Sequence, residues 1–148
     1  MNVFTTNTFE QRLRLWHELR NTLQDSDIQT ICVEVDKFWQ QCPLNTYYLH
    51  PYDIKVWPNP WELLNDNNYC YYARALGMIY TLLLLGIKDV DFCTAKDYNS
   101  EEVVLVTVDR AKYVMNYWPN WVLNTTFTEF SNIKYINIDS LYNKIGKE

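Results

Sequence analysis

A long apolar segment near the middle of the chain constrains the fold more than any other feature. Residues 75–85 include no charged side chain, and apolar residues occur on all sides of a helix drawn through them. Asp66 to Asn68 offer side-chain oxygens to the free amides of a first turn, and Gly86 is placed to end the helix in a left-handed conformation. The sequence therefore predicts a central helix between Asp66 and Gly86 that is buried on every side.

The length and charge of the chain limit its size class and its partners. At 148 residues, with 48% hydrophobic and 16% aromatic residues, it fits one domain, residues 1–148, with a substantial core. Its net charge is −5 and it has no basic run, which argues against binding to a nucleic-acid backbone. We therefore expect no nucleic-acid partner.

The sequence also bears on membranes, secretion and metals. The longest uncharged apolar run, Ala75 to Ile87, is shorter than the roughly 20 residues that span a bilayer, and the first residues, MNVFTTNTFEQRLR, lack the pattern of a signal peptide. The four cysteines lack zinc-site or CxxC spacing, and Cys42 with His50 has no second pair of metal ligands. We expect an intracellular protein without membrane contact, metal or cofactor, and with reduced thiols.

Two amphipathic helices are predicted before the central one. Thr8-x-x-Gln11 and Ser26-x-x-Gln29 are typical of capping boxes, so helices should begin near both positions. The apolar stripe of the first helix comprises Phe9, Leu13, Trp16, Leu19 and Leu23, with Arg12, Arg14, Glu18 and Arg20 largely off it. These two helices should form an amino-terminal hairpin that ends at Pro43.

A rigid loop should connect this hairpin to the central helix. Residues 43–65 contain four prolines, each of which fixes its own φ and disfavours helix in the preceding residue. Trp57 and Trp61 flank two of these prolines, and a short helix with Pro60 at its first position should follow. The tryptophans predict a loop held in place by aromatic packing.

After the central helix, the apolar period changes from helical to alternating. Val90, Phe92 and Thr94 alternate with Asp89, Asp91 and Cys93, which predicts a strand with one solvent-exposed face. Further strands are predicted at 103–108, 112–116, 122–127 and around Ile133 to Ile138, before a short helix at 139–145. The predicted fold class is α+β: a helical hairpin and a buried central helix packed on a small antiparallel sheet.

The start of the central helix carries a resemblance to known enzymes. Tyr69-Cys70-Tyr71-Tyr72-Ala73-Arg74-Ala75-Leu76, followed by Leu82 to Leu85 and Gly86-Ile87, resembles the core of transglutaminase-like and papain-like cysteine enzymes over about a third of the chain. The resemblance implies a cysteine at the start of a buried helix, followed by antiparallel strands. It also implies that Cys70 is a nucleophile, that a histidine is its base, and that Asn116 orients the imidazole.

The chain lacks the histidine that acts as the catalytic base in this pattern. The position of the histidine falls near Glu101 or Glu102, and no histidine follows His50. His50 could serve if the rigid loop folds back over the start of the central helix. A buried, unreactive Cys70 is the other interpretation, because a free cysteine commonly behaves as a small hydrophobic residue.

A second resemblance concerns the setting of the protein. Phe38-Trp39, Trp57-Pro58-Asn59-Pro60-Trp61-Glu62-Leu63-Leu64, Tyr69-Cys70 and Ala73-Arg74-Ala75-Leu76-Gly77 look like segments of small uncharacterised proteins of contractile-tailed bacteriophages. The resemblance implies a phage setting, in the host cytoplasm or the virion, and a structural or assembly role beside other protein subunits.

Two functions follow from these observations. The first is a non-catalytic interaction protein, a phage virion or assembly component on a degenerate transglutaminase-like scaffold. The second is a cysteine-dependent amidase or acyl-transferase that uses Cys70, His50 and Asn116. Four tryptophans serve either as a binding surface or in the core: Trp57, Trp61, Trp118 and Trp121. Arg74 either binds an anion or, as we expect, pairs with Glu62 or Asp66.

Overall fold

The chain folds into helices and one antiparallel sheet, as the sequence predicts. The computed structural model describes residues 2–45, 47–51 and 53–146. Within them, the helices are α1 (Phe9–Leu23), α2 (Ile28–Trp39), α3 (Pro60–Asp66), α4 (Tyr71–Leu84) and α5 (Tyr142–Ile145). The strands are β1 (Val90–Lys96), β2 (Glu102–Val108), β3 (Tyr113–Met115) and β4 (Ser131–Ile136), in the order β3-β2-β1-β4. The α+β class is confirmed.

The amino-terminal hairpin forms with one shifted cap. Thr8 and Gln11 form the predicted capping box of α1 through reciprocal bonds between side chain and backbone. The cap of α2 is Asp27 rather than Ser26, and its carboxylate accepts the Thr30 N–H at 2.7 Å. A carboxylate next to the predicted serine is the stronger acceptor for a backbone N–H, which explains the shift of one residue.

Helix α4 is the buried central helix, but it begins later than predicted. Asp66 belongs to α3 and Asn67 ends α3 in a left-handed conformation (φ 54°), so Cys70 is the N-cap of α4. The predicted capping by Asp66 to Asn68 is therefore wrong, because α3 continues through Asp66 and ends at the left-handed Asn67. Gly86 ends α4 as predicted, with φ +85°. The Ile87 N–H bonds to the Leu82 carbonyl at 3.0 Å, as in a Schellman motif.

One hydroxyl joins α4 to both helices of the hairpin. Thr81 Oγ1 accepts the indole N–H of Trp16 at 2.8 Å and that of Trp39 at 2.9 Å. The same hydroxyl donates to the Gly77 carbonyl at 2.7 Å. A Cβ added at Gly77 would lie 2.5 Å from the ring of Trp39, so only glycine lets α2 approach this closely. The three helices are therefore held by specific contacts as well as by apolar burial.

The sheet is buried on both faces at β1, β2 and β3, which the sequence did not indicate, whereas β4 is largely exposed. Helix α4 packs against β1 and β2 on one face. The other face carries a small second core of Cys93, Ala95, Leu105, Val114 and Phe130. The predicted solvent-exposed face of β1 is therefore wrong at Cys93, which is fully buried.

The segment between β3 and β4 is irregular where a strand was predicted. Residues 122–127 were predicted to pair with the sheet, but they contain the 3₁₀ turn Val122–Asn124 and the start of a second turn, Phe127–Glu129. Because β3 and β4 lie at opposite edges of the sheet, the chain between them must cross from one edge to the other. A segment that crosses a sheet face cannot pair in register with its strands.

The carboxyl-terminal region follows the prediction closely. Strand β4 is followed by a 3₁₀ turn, Asp139–Leu141, and by α5.

Among the described residues, no helix combines the length and the apolar character needed to cross a bilayer.

Candidate functional site

A buried polar cluster lies beside the first turn of α4. Its members are Asp36 from α2, Arg74 from α4 and Asn116, which follows β3, and at most 6% of each is exposed. Arg74 Nε donates to Asn116 Oδ1 at 2.6 Å. The cluster therefore ties α4 to the end of β3 at a point removed from solvent.

Asn116 is the centre of this cluster. Its backbone N–H donates to Asp36 Oδ1 at 2.9 Å, and its φ of 68° is a conformation that asparagine tolerates better than most residues. Its side-chain Nδ2 donates to the carbonyls of Val104 at 2.9 Å and Tyr71 at 3.2 Å. The amide of Asn116 is thus occupied at both of its polar atoms by groups other than an imidazole.

Burial dominates the electrostatics of the cluster. Loss of solvent raises the pKa of Asp36, against the opposing effects of the Asn116 N–H, the Gln40 side chain and the charge of Arg74. Burial likewise lowers the pKa of Arg74, against the negative groups around it. The expected pairing of Arg74 with Glu62 or Asp66 is wrong. Glu62 instead caps α3 by accepting the Asn59 N–H.

Cys70 lies next to this cluster as the cap of α4. Its Sγ accepts the Ala73 N–H at 3.5 Å, and 9% of the residue is exposed. Cys42 is also buried; burial raises the pKa of its thiol to about 12, and the nearby Arg74 opposes this shift. The start of α4 therefore contains a thiol that caps the helix and, one turn later, an arginine, as the sequence suggested.

His50 lies in a loop that contacts the same turn. The side chain of His50 is exposed, and its ring lies 6.2 Å from the ring of Tyr48. Tyr48 lies at the same ring distance, 6.2 Å, from Tyr72 in the first turn of α4. The loop thus contacts the first turn of α4 through Tyr48. The catalytic pairing of Cys70 with His50 stays a prediction.

Of the four tryptophans that the sequence offers as a binding surface, some lie in the core and others at the surface. Trp57 is 2% exposed, and its indole donates to the His50 carbonyl at 3.0 Å. Trp61 is half-buried against Trp16. Trp118 and Trp121 are 58% and 48% exposed. Trp57 therefore belongs to the core, and the second pair remains accessible.

Two further aromatic residues are exposed, and hydrogen bonds connect their chain segments to the segment that carries Trp118. Tyr71 is 56% exposed and Tyr98 is 77% exposed. Tyr117 connects this region: its ring lies 6.1 Å from that of Trp118, and its hydroxyl donates to Asp97, the residue before Tyr98, at 3.1 Å. We call Tyr71, Tyr98, Trp118 and Trp121 the aromatic surface.

Sequence reasoning missed the two tyrosines of this surface. Tyr71 follows Cys70 and Tyr98 lies in a polar turn, and neither position is marked by periodicity. Glu101 and Glu102 are exposed beside the same turn. The one signal of exposure in the sequence is Tyr98 itself, a large aromatic residue in a turn rich in polar residues.

Comparison with known proteins adds no relative. No known protein family matches the chain, and no curated protein matches its sequence.

Within the described residues, no three His, Cys, Asp or Glu side chains converge as metal ligands.

Proposed function

We propose that this protein is a non-catalytic interaction protein that binds another protein subunit through the aromatic surface. The observation that carries the proposal is the exposure of two tryptophans and two tyrosines whose chain segments are connected by hydrogen bonds. Tryptophan and tyrosine dominate the binding energy of many protein interfaces, and large exposed apolar groups mark such surfaces. Glu101 and Glu102, exposed beside the turn that carries Tyr98, favour a partner with basic side chains around an apolar pocket.

The setting that we propose is a contractile-tailed phage, with a structural or assembly role in the virion. The sequence resemblance to small phage proteins supports this setting. The order of a capped Cys70, a buried helix and antiparallel strands supports the proposal of a degenerate transglutaminase-like scaffold. On this scaffold Asn116 binds Arg74, which favours a structural role for the former site.

Photo-crosslinking tests the interaction. We place a photo-reactive amino acid at Trp118 and express the chain in the setting that encodes it, with the same amino acid at Val56, which is 80% exposed, as the control. We expect a discrete adduct with one protein of the purified particles from position 118, and its loss in a Trp121→Ala background. Absence of the chain from the particles, or identical adducts from both positions, would contradict the proposal.

The cysteine enzyme is the alternative, and thiol labelling separates it from the main proposal. We expect all four cysteines to resist iodoacetamide in the folded protein and to react after unfolding, because each is buried. Burial also raises the thiol pKa of Cys32 and Cys42 to about 12 and that of Cys93 to about 11. Mass spectrometry of the digested protein measures each site.

The pH dependence of labelling provides the decisive outcome. A nucleophilic Cys70 would react in the folded protein well below pH 8, and a His50→Gln variant would lower this rate. Such a result would replace the interaction proposal with the enzyme. The control is Cys93, which lies in the second core away from α4.

A further inference from the structure

We propose that a cleft at the carboxyl-terminal end of the domain binds a small ligand that carries a phosphate group and a planar ring. The cleft lies between the 3₁₀ turn Ile54–Val56, the start of α3, and the segment 139–145. Its volume is about 440 Å³, within the range of roughly 300–1,000 Å³ that is typical of small-molecule sites. The site is separate from the aromatic surface and does not depend on the proposed function.

Two lysines give the cleft a positive charge on an acidic protein. Lys55 and Lys144 both line it, although the chain carries a net charge of −5. Lys144 Nζ donates to the Lys55 carbonyl at 3.0 Å, which holds this ammonium at the wall of the cleft and leaves it two further N–H donors. Lysine ammonium groups bind phosphate as point charges.

Neither lysine is neutralised by a carboxylate in the part of the chain that the structure describes. The ion pair found there joins Arg14 and Glu18 of α1. Glu62 also lines the cleft with its negative charge, and its Oε1 is held by the Asn59 N–H at 2.9 Å as part of the α3 cap. Two lysines against one glutamate leave the lining with a net positive charge, so an anionic ligand would still be attracted.

Neutral donors lie beside the lysines. Ser140 lines the cleft, and its Oγ is shielded from water without a hydrogen-bond partner among the described residues. A buried hydroxyl without a partner is unfavourable, so a ligand oxygen that accepts a hydrogen bond from it would be stabilised. Asn143 adds a side-chain amide. Hydroxyl, amide and ammonium donors together suit the several acceptor oxygens of a phosphate.

An aromatic wall completes the site. Trp61 lines the cleft and is fixed edge-on by Trp16, with ring centroids 6.3 Å apart and planes at 78°. An indole held in this way offers an apolar surface on which a planar ring can stack. The combination of a fixed indole with two lysines points to a ligand of the size and chemistry of a nucleoside monophosphate.

Nuclear magnetic resonance with the full chain tests this inference. We titrate ¹⁵N-labelled protein with adenosine monophosphate, adenosine or inorganic phosphate. We expect the monophosphate to shift the amide signals of Lys55, Asn143 and Lys144 and the indole signal of Trp61. Adenosine and inorganic phosphate should each bind at least about tenfold more weakly, because each lacks one half of the recognised chemistry.

Variants provide the matched control. The double variant Lys55→Gln/Lys144→Gln should weaken binding of the monophosphate by at least about tenfold, through loss of charge-assisted hydrogen bonds. Lys37→Gln/Lys112→Gln removes two exposed lysines outside the cleft and should bind as the natural chain does. The absence of shifts in the natural chain, equal affinity for adenosine, or equal weakening by both double variants would overturn the proposal. Circular dichroism verifies that each variant is folded.

Discussion

Replacing Thr81 with Val is expected to lower the free energy of unfolding by about 3 kcal/mol. The two side chains have nearly the same shape, so packing is retained and the effect comes from hydrogen bonding. The variant leaves the indole N–H groups of Trp16 and Trp39 buried without their acceptor, at a cost of about 1–3 kcal/mol for each. Urea unfolding followed by tryptophan fluorescence measures the loss.

Thr107→Val is the matched control for this experiment. Thr107 is also buried, but its hydroxyl has no hydrogen-bond partner among the described residues. Replacement with Val therefore removes a desolvated polar atom, and we expect a change between zero and a gain of about 1 kcal/mol. Equal losses in the two variants would show that Thr81 contributes through its shape and not through its hydroxyl.

Replacing Asn116 with Ala is expected to lower the free energy of unfolding by about 4 kcal/mol. The change removes the acceptor of the Arg74 guanidinium and the donor to the Val104 and Tyr71 carbonyls. It leaves a buried charge with fewer partners, which is among the most costly changes in a protein interior. It also places Ala at a φ of 68°, where its Cβ is unfavourable. Thermal and urea unfolding measure the effect.

Asn120→Ala isolates the backbone part of this cost. Asn120 has a similar φ of 64°, but its side chain is exposed. We expect this variant to lose about 1 kcal/mol, the strain of Ala in the left-handed region. If Asn116→Ala costs no more than Asn120→Ala, the hydrogen bonds around Arg74 do not stabilise the fold.

Much of the fold could be predicted because its signals act over short distances. The capping box at Thr8 and the left-handed stop at Gly86 depend on neighbours within a few residues, and both were located correctly. The prediction of the strand at 122–127 was wrong because apolar residues also occur in a segment that crosses a sheet face. Alternation along the chain does not distinguish these two environments.

The candidate site was predictable only in part. Cys70, Arg74 and Asn116 were identified from the sequence and lie in one region of the structure. Asp36 was missed, because an aspartate in an amphipathic helix carries no sign that it will be buried. The exposure of Trp118 and the burial of Trp57 were likewise undecided, since both residues lie beside prolines in similar sequences.

The sequence by itself determined the α+β class, the central helix and most of the element boundaries, because periodicity, caps and breakers act within a few residues. The tertiary structure decided which polar groups meet. Arg74 and Asn116 are 42 residues apart, and Asp36 and Asn116 are 80 apart. The partner and burial of a side chain depend on elements far away in the chain, and only packing brings these together. One turn after Cys70, packing brought a buried arginine and its asparagine together.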